Sequence, residues 1–70
     1  MNVPNRYYKN FQYHAFHERT TDTTKIIINI LIDNRTGYAN IAEIRQPGTL
    51  TEAEIEFLAM DKIHEIERRS

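Results

Sequence analysis

The stretch TEAEIEFLAMDKIHEIERR, residues 51–69, decides how the rest of this 70-residue chain must be arranged. Thr51 precedes Glu54 by three residues, the capping-box spacing in which each side chain takes up a backbone N–H of the other. Leu50 before the cap and Ile55 after it form a hydrophobic staple that sets the entry angle of the helix. On a helical wheel Ile55, Leu58, Ala59, Ile63 and Ile66 share one side. Ala53, Phe57, Met60 and His64 fall on nearly the opposite side. Glu54, Asp61 and Glu65 separate the two along one flank, and Glu56 and Glu67 along the other. The helix therefore has two apolar faces. One is expected to pack on the chain's own sheet, and the other needs a different cover.

The material for that sheet lies upstream. Met1–Asn5 reads as a loose end, since Pro4 opposes a helix there. The aromatic stretch from Arg6 to Glu18 reads as one strand, with Phe11, Tyr13 and Ala15 on one face and Gln12, His14 and Phe16 on the other. Arg19–Thr24 is Thr-rich and polar, which suits a connecting loop. Lys25–Asp33 is the clearest strand: Ile26, Ile28, Ile30 and Ile32 alternate with Ile27, Asn29 and Leu31, and β-branched residues fit a pleated surface. Apolar residues on both sides make it central. Residues 33–37 form a turn in which Gly37 can supply a positive φ. Tyr38–Arg45 returns as a third strand, and the pattern leaves two registers open. Ile41 and Ala39 face the core together with Glu43, or Tyr38, Ala42 and Ile44 do so together with Asn40. Either way, apolar area remains on the sheet face away from the helix. Residues 46–49 break the chain before the cap. The expected fold is α+β: a three-stranded antiparallel meander with one C-terminal helix across it, β-β-β-α, forming a single domain over residues 1–70.

Composition narrows the chemistry. Without cysteine there is no disulfide framework and no thiolate metal site. The N-terminus lacks an apolar signal region, and the run Ile26–Ile32 is too short to cross a bilayer, so a cytoplasmic protein is expected. The formal charge of −1 is uneven: residues 1–50 carry six basic and four acidic side chains, residues 51–70 three and six. His14 and His17 lie three apart on an expected strand, where odd separation points them to opposite faces, so no metal site is expected. The only serine is Ser70, the two glycines sit at breaks, and the paired carboxylates form helix flanks. Nucleophile elbows, phosphate loops and acid–base pairs are thus lacking, and a chain this small rarely encloses a substrate. A non-enzymatic protein with no cofactor and no small-molecule substrate is expected.

Two binding classes follow. A protein contact, either a homodimer or docking on a larger partner, would use Ala53, Phe57, Met60 and His64 with Glu54 and Asp61 at the rim. Size and blandness also suit a phage or mobile-element inhibitor of a host complex, of the anti-CRISPR or anti-defence kind. The alternative is a nucleic-acid-binding domain that uses the sheet, with Arg6, Lys9, Arg19, Lys25, Arg35 and Arg45 as its cations. These cations are scattered singly, whereas duplex binding usually gathers them on one face.

Overall fold

The computed structural model describes residues 2–32 and 37–69. In chain order its elements are β1 (Val3–Tyr8), β2 (Phe11–Glu18), β3 (Thr23–Leu31), β4 (Tyr38–Pro47) and α1 (Glu52–Arg69). The strands form one antiparallel sheet in the order β1-β2-β3-β4. Helix α1 lies on one face of it, against β2 and β3. The class is α+β with a meander and a C-terminal helix, but the meander has four strands where three were expected.

The additional strand comes from Arg6–Glu18, which is a hairpin and not one strand. Tyr8 pairs with Phe11, and Lys9 between them takes a φ of 55°. No Gly or Pro marks this reversal, so the aromatic pattern runs through it without a break. The Asn10 carbonyl accepts a 2.8 Å bond from the Leu31 N–H, which ties the turn to the end of β3. The N-terminus is also ordered from Val3 onward. Val3 pairs with Ala15 and is only 4% exposed. Pro4 is tolerated because β1 is an edge strand, where an amide donor is not required, and a bulge lies between Val3 and Arg6.

The Thr-rich stretch is shorter as a loop than its polarity suggested. Glu18 pairs with Thr23, leaving Arg19–Asp22 as the turn. Thr24 is a core residue, 1% exposed. Its hydroxyl donates a 2.6 Å bond to the Gly48 carbonyl, which removes the cost of burying it. Gly48 in turn donates its N–H to the Asp22 carbonyl at 2.7 Å. Its φ of 77° favours glycine at this crossing of the two chain segments. Residues 33–36, which include the expected turn and Arg35, lie outside the described residues.

Strand β4 resolves the register question by adopting neither alternative along its whole length. Ile44 pairs with Ile26 and Ala42 with Ile28, but Asn40 pairs with Asn29 and Ala39 with Ile30. Ile41 is the extra residue of a β-bulge. The bulge lets Ala42 and Ile44 face the helix without carrying Asn40 inward. Asn40 instead donates to the carbonyls of Ile28 and Ala42 at 3.4 and 3.3 Å.

The helix cap forms as its spacing requires. Thr51 N–H donates to Glu54 Oε1 at 2.9 Å, and Glu54 N–H to Thr51 Oγ1 at 3.2 Å. Ile55, Ala59 and Ile63 are buried against Phe11, Tyr13, Ala15, Ile26 and Ile28, with Leu58 and Ile66 half-buried beside them. Each fully buried isoleucine contributes about 1.5–3 kcal/mol by leaving water. Ile63→Ala is therefore expected to cost about 2–5 kcal/mol in urea denaturation. Thr51→Ala is expected to cost about 1 kcal/mol. Deleting residues 1–5 should lower the midpoint as well, because it removes the buried Val3; an unchanged midpoint would mean that β1 adds nothing before Arg6.

Candidate functional site

Two surfaces are left open by this arrangement. The first is the N-terminal half of α1. Phe57 is 70% exposed, the most exposed of the large apolar residues among those described, and Ala53 lies open beside it. Leu50, half-buried against the core just before the cap, extends the same apolar area. Together with Gln46, Glu54 and Leu58 these residues line an open groove of about 360 Å³. Glu54 is fixed at the groove's edge by the capping box. The placement of Gln46 and Leu50 here depends on how β4 enters the helix, so wheel spacing alone could not include them.

The rest of the expected contact stripe differs from its open half. Met60 is half-buried and packs against the core. His64 is exposed but engaged: Tyr8 Oη lies 3.3 Å from its Nε2, with the two rings edge-on at 5.8 Å. Asp61 is exposed. The second apolar face is thus divided. Its C-terminal half is reached by β1 of the same chain, while its N-terminal half around Phe57 is not. Ion pairs follow the same flank, with Arg6 to Glu52 at 3.5 Å and Lys9 to Glu67 at 3.3 Å. The Glu67 carboxylate raises the Lys9 pKa through that hydrogen bond and its charge. Burial raises the pKa of Tyr13, with Glu56 adding to it.

The second surface is the sheet face away from the helix. Tyr7, Gln12 and Asn29 form a cross-strand row, with Gln12 donating to Tyr7 Oη at 3.4 Å and Asn29 donating to Gln12 Oε1 at 3.0 Å. Tyr7 also meets Tyr38, ring centroids 6.1 Å apart. His14 stacks on Phe16 at 6.4 Å, and its Nδ1 is buried without a hydrogen-bond partner. Exposed Leu31 and Ile41 add apolar area.

Of the cations expected for nucleic acid, Lys25 and Arg45 are cross-strand neighbours on that face, and among the described residues each is held by a carboxylate. Arg6 and Lys9 pair with α1, Lys25 with Glu18 at 3.6 Å, and Arg45 with Glu43 at 3.0 Å. Arg19 is exposed in the β2–β3 turn, and Arg35 lies outside the described residues. The histidines are dispersed: His14 on the bare sheet face, His17 against Asp22 at 2.9 Å, and His64 against Tyr8. Among the described residues no three His, Asp or Glu side chains converge as metal ligands, and no helix is long and apolar enough to cross a membrane.

Near the end of α1, Lys62 donates to Glu65 at 2.9 Å, and Arg69 approaches the same carboxylate at 3.5 Å. The hydrogen bond and charge of Lys62 lower the Glu65 pKa, with Arg69 adding to the effect. A depressed carboxylate stabilises the fold above its unfolded pKa, and that contribution is lost as pH falls through the folded one. A carboxyl NMR titration should therefore give Glu65 a midpoint below that of an ordinary glutamate. Lys62→Ala should move the midpoint back up, and no movement would assign the shift to another cause. Comparison with protein-family models, with curated proteins and with solved structures finds no match for this chain.

Proposed function

We propose that this chain is a non-enzymatic interaction module that docks on a larger protein through the N-terminal half of α1. The observation that carries this reading is Phe57. A phenylalanine left 70% exposed beside an apolar groove gains nothing for folding, yet is the kind of anchor that interface centres favour. The groove residues Leu50, Ala53 and Leu58 provide apolar walls, and Glu54 and Asp61 a polar rim. A role as inhibitor of a host complex, of the phage or mobile-element kind, fits a compact module of this size. That role adds a partner class to the docking surface and does not alter it.

A second reading has its own support on the opposite surface. Aromatic rings on a sheet, here exposed Tyr7 with half-buried Phe16 and Tyr38 beside the amides of Gln12 and Asn29, suit stacking with the bases of single-stranded nucleic acid. The ion pairs of Lys25 and Arg45 on that face weaken the phosphate attraction such binding relies on.

Phe57→Asp is expected to change folding stability by less than about 0.5 kcal/mol, as exposed substitutions do, and to abolish capture of the partner. A photoreactive residue at Ala53 should cross-link that same partner in cells. Equal capture by wild type and Phe57→Asp, with no cross-link from Ala53, would exclude the helix face. The second reading is tested by mobility shift with single-stranded oligonucleotides. Binding that weakens steeply with salt and is lost in Phe16→Ala supports it, and no shift at low salt removes it.

A further inference from the structure

We propose that the chain forms a two-fold homodimer by antiparallel pairing of β4 with β4 of a second copy, centred on Ile44. Both edge strands carry a proline and a bulge, Pro47 and Ile41 in the case of β4, but they differ in length and in what bridges them to the helix. Strand β1 is six residues long, contains Pro4 and a bulge, and is bridged to α1 through Arg6–Glu52 and Tyr8–His64. Among the described residues β4 is the longest strand, at ten residues, and no further strand pairs along its outer side. An edge of that length is a template for another strand unless something blunts it.

The side chains of β4 select both the partner and the register. A two-fold axis perpendicular to the sheet keeps the faces of both copies aligned, so residues pair only with residues of the same face. Centring on Glu43 would set two carboxylates opposite each other, and centring on Arg45 two guanidinium groups. Centring on Ile44 sets Glu43 of each copy opposite Arg45 of the other, on the bare face, while Ile44 meets Ile44 on the helix face. Cross-strand pairs of opposite charge stabilise and like pairs oppose, so the choice between registers is electrostatic. The same register places Pro47, which lacks an amide donor, opposite the bulged Ile41 of the other copy. Both interruptions of regular pairing then fall at the ends of the segment Ala42–Gln46.

The helix face adds a second reason. Because α1 sits on β2 and β3, Ala42, Ile44 and Gln46 are only half-buried. A second copy covers them from the open side, extends the sheet to eight strands and places both helices on the same face. Gln46 also lines the groove beside Phe57, so this contact borders the docking surface while its centre at Ile44 lies on the strand and not on the helix.

Sedimentation velocity across a concentration series tests the pairing, with circular dichroism to establish that each variant is folded. Wild type should sediment as two chains. Glu43→Arg and Arg45→Glu alone should each sediment as one, because each places like charges across the axis. An equimolar mixture of these two variants, and the double variant Glu43→Arg/Arg45→Glu, should both recover the two-chain species. Phe57→Asp should remain a dimer even where it loses the docking partner, which separates the two surfaces. A wild type that is monomeric at every concentration would show that Glu43, Arg45 and the bulge act as edge guards, and would overturn the proposal. So would single-charge variants that dimerise like wild type, or a dimer lost only in Phe57→Asp.

Discussion

A single α-helix about 10 Å across can seal only about two strands spaced about 4.8 Å apart. The described residues form four strands and one helix, and most of the surface character follows from that mismatch. Ile55, Ala59 and Ile63 cover Tyr13, Ala15, Ile26 and Ile28 completely, since these stand on the two central strands. On β4 the inward-facing Ala42 and Ile44 are covered only in part, and the opposite face of the sheet has no cover from the helix at all. Exposed apolar area in this protein is a result of geometry before it is a result of function.

The two edges answer the same shortage by different means. At β1 the aromatic and basic side chains reach over to the helix: Tyr8 to His64, Arg6 to Glu52 and Lys9 to Glu67. Exposed ion pairs add little stability individually, so the anchoring of β1 rests mainly on Val3 in the core and on Tyr8 half-buried against it. At β4 no ion pair to the helix is found among the described residues. The bulge at Ile41 instead keeps Asn40 out of the core while Ala42 and Ile44 stay in, so the strand satisfies two incompatible patterns in succession.

The crossing of the Arg19–Asp22 turn and the link to α1 connects these parts. Asp22 adopts a φ of 51° and accepts the Gly48 N–H, while Thr24 donates to the Gly48 carbonyl. Two hydrogen bonds thus fix where β4 ends and where the helix can begin. The position of Leu50, and through it the groove beside Phe57, depends on this local fastening.

Local rules in the sequence were sufficient for the elements whose signals are short-range. The capping box at Thr51 and Glu54, the buried stripe from Ile55 to Ile63 and the alternation of Ile26 and Ile28 all appear as their spacing implies, because period and capping are properties of neighbouring residues. The position of Phe57 on the helix face away from the core stripe was legible in the same way, from the wheel, but whether the chain itself covered it was not. What only the tertiary structure decided involves residues distant in sequence. The reversal at Lys9 carries no turn residue of its own except Asn10, and its pairing is enforced by burial of Phe11. Thr24 looks like loop until Gly48 supplies an acceptor 24 residues away. Tyr8 reaches His64 across 56 residues and divides a helix face that the wheel shows as continuous. The bulge at Ile41 likewise reflects a competition between core and solvent that no local pattern contains, since the cost of burying Asn40 exists only once a helix lies over the sheet.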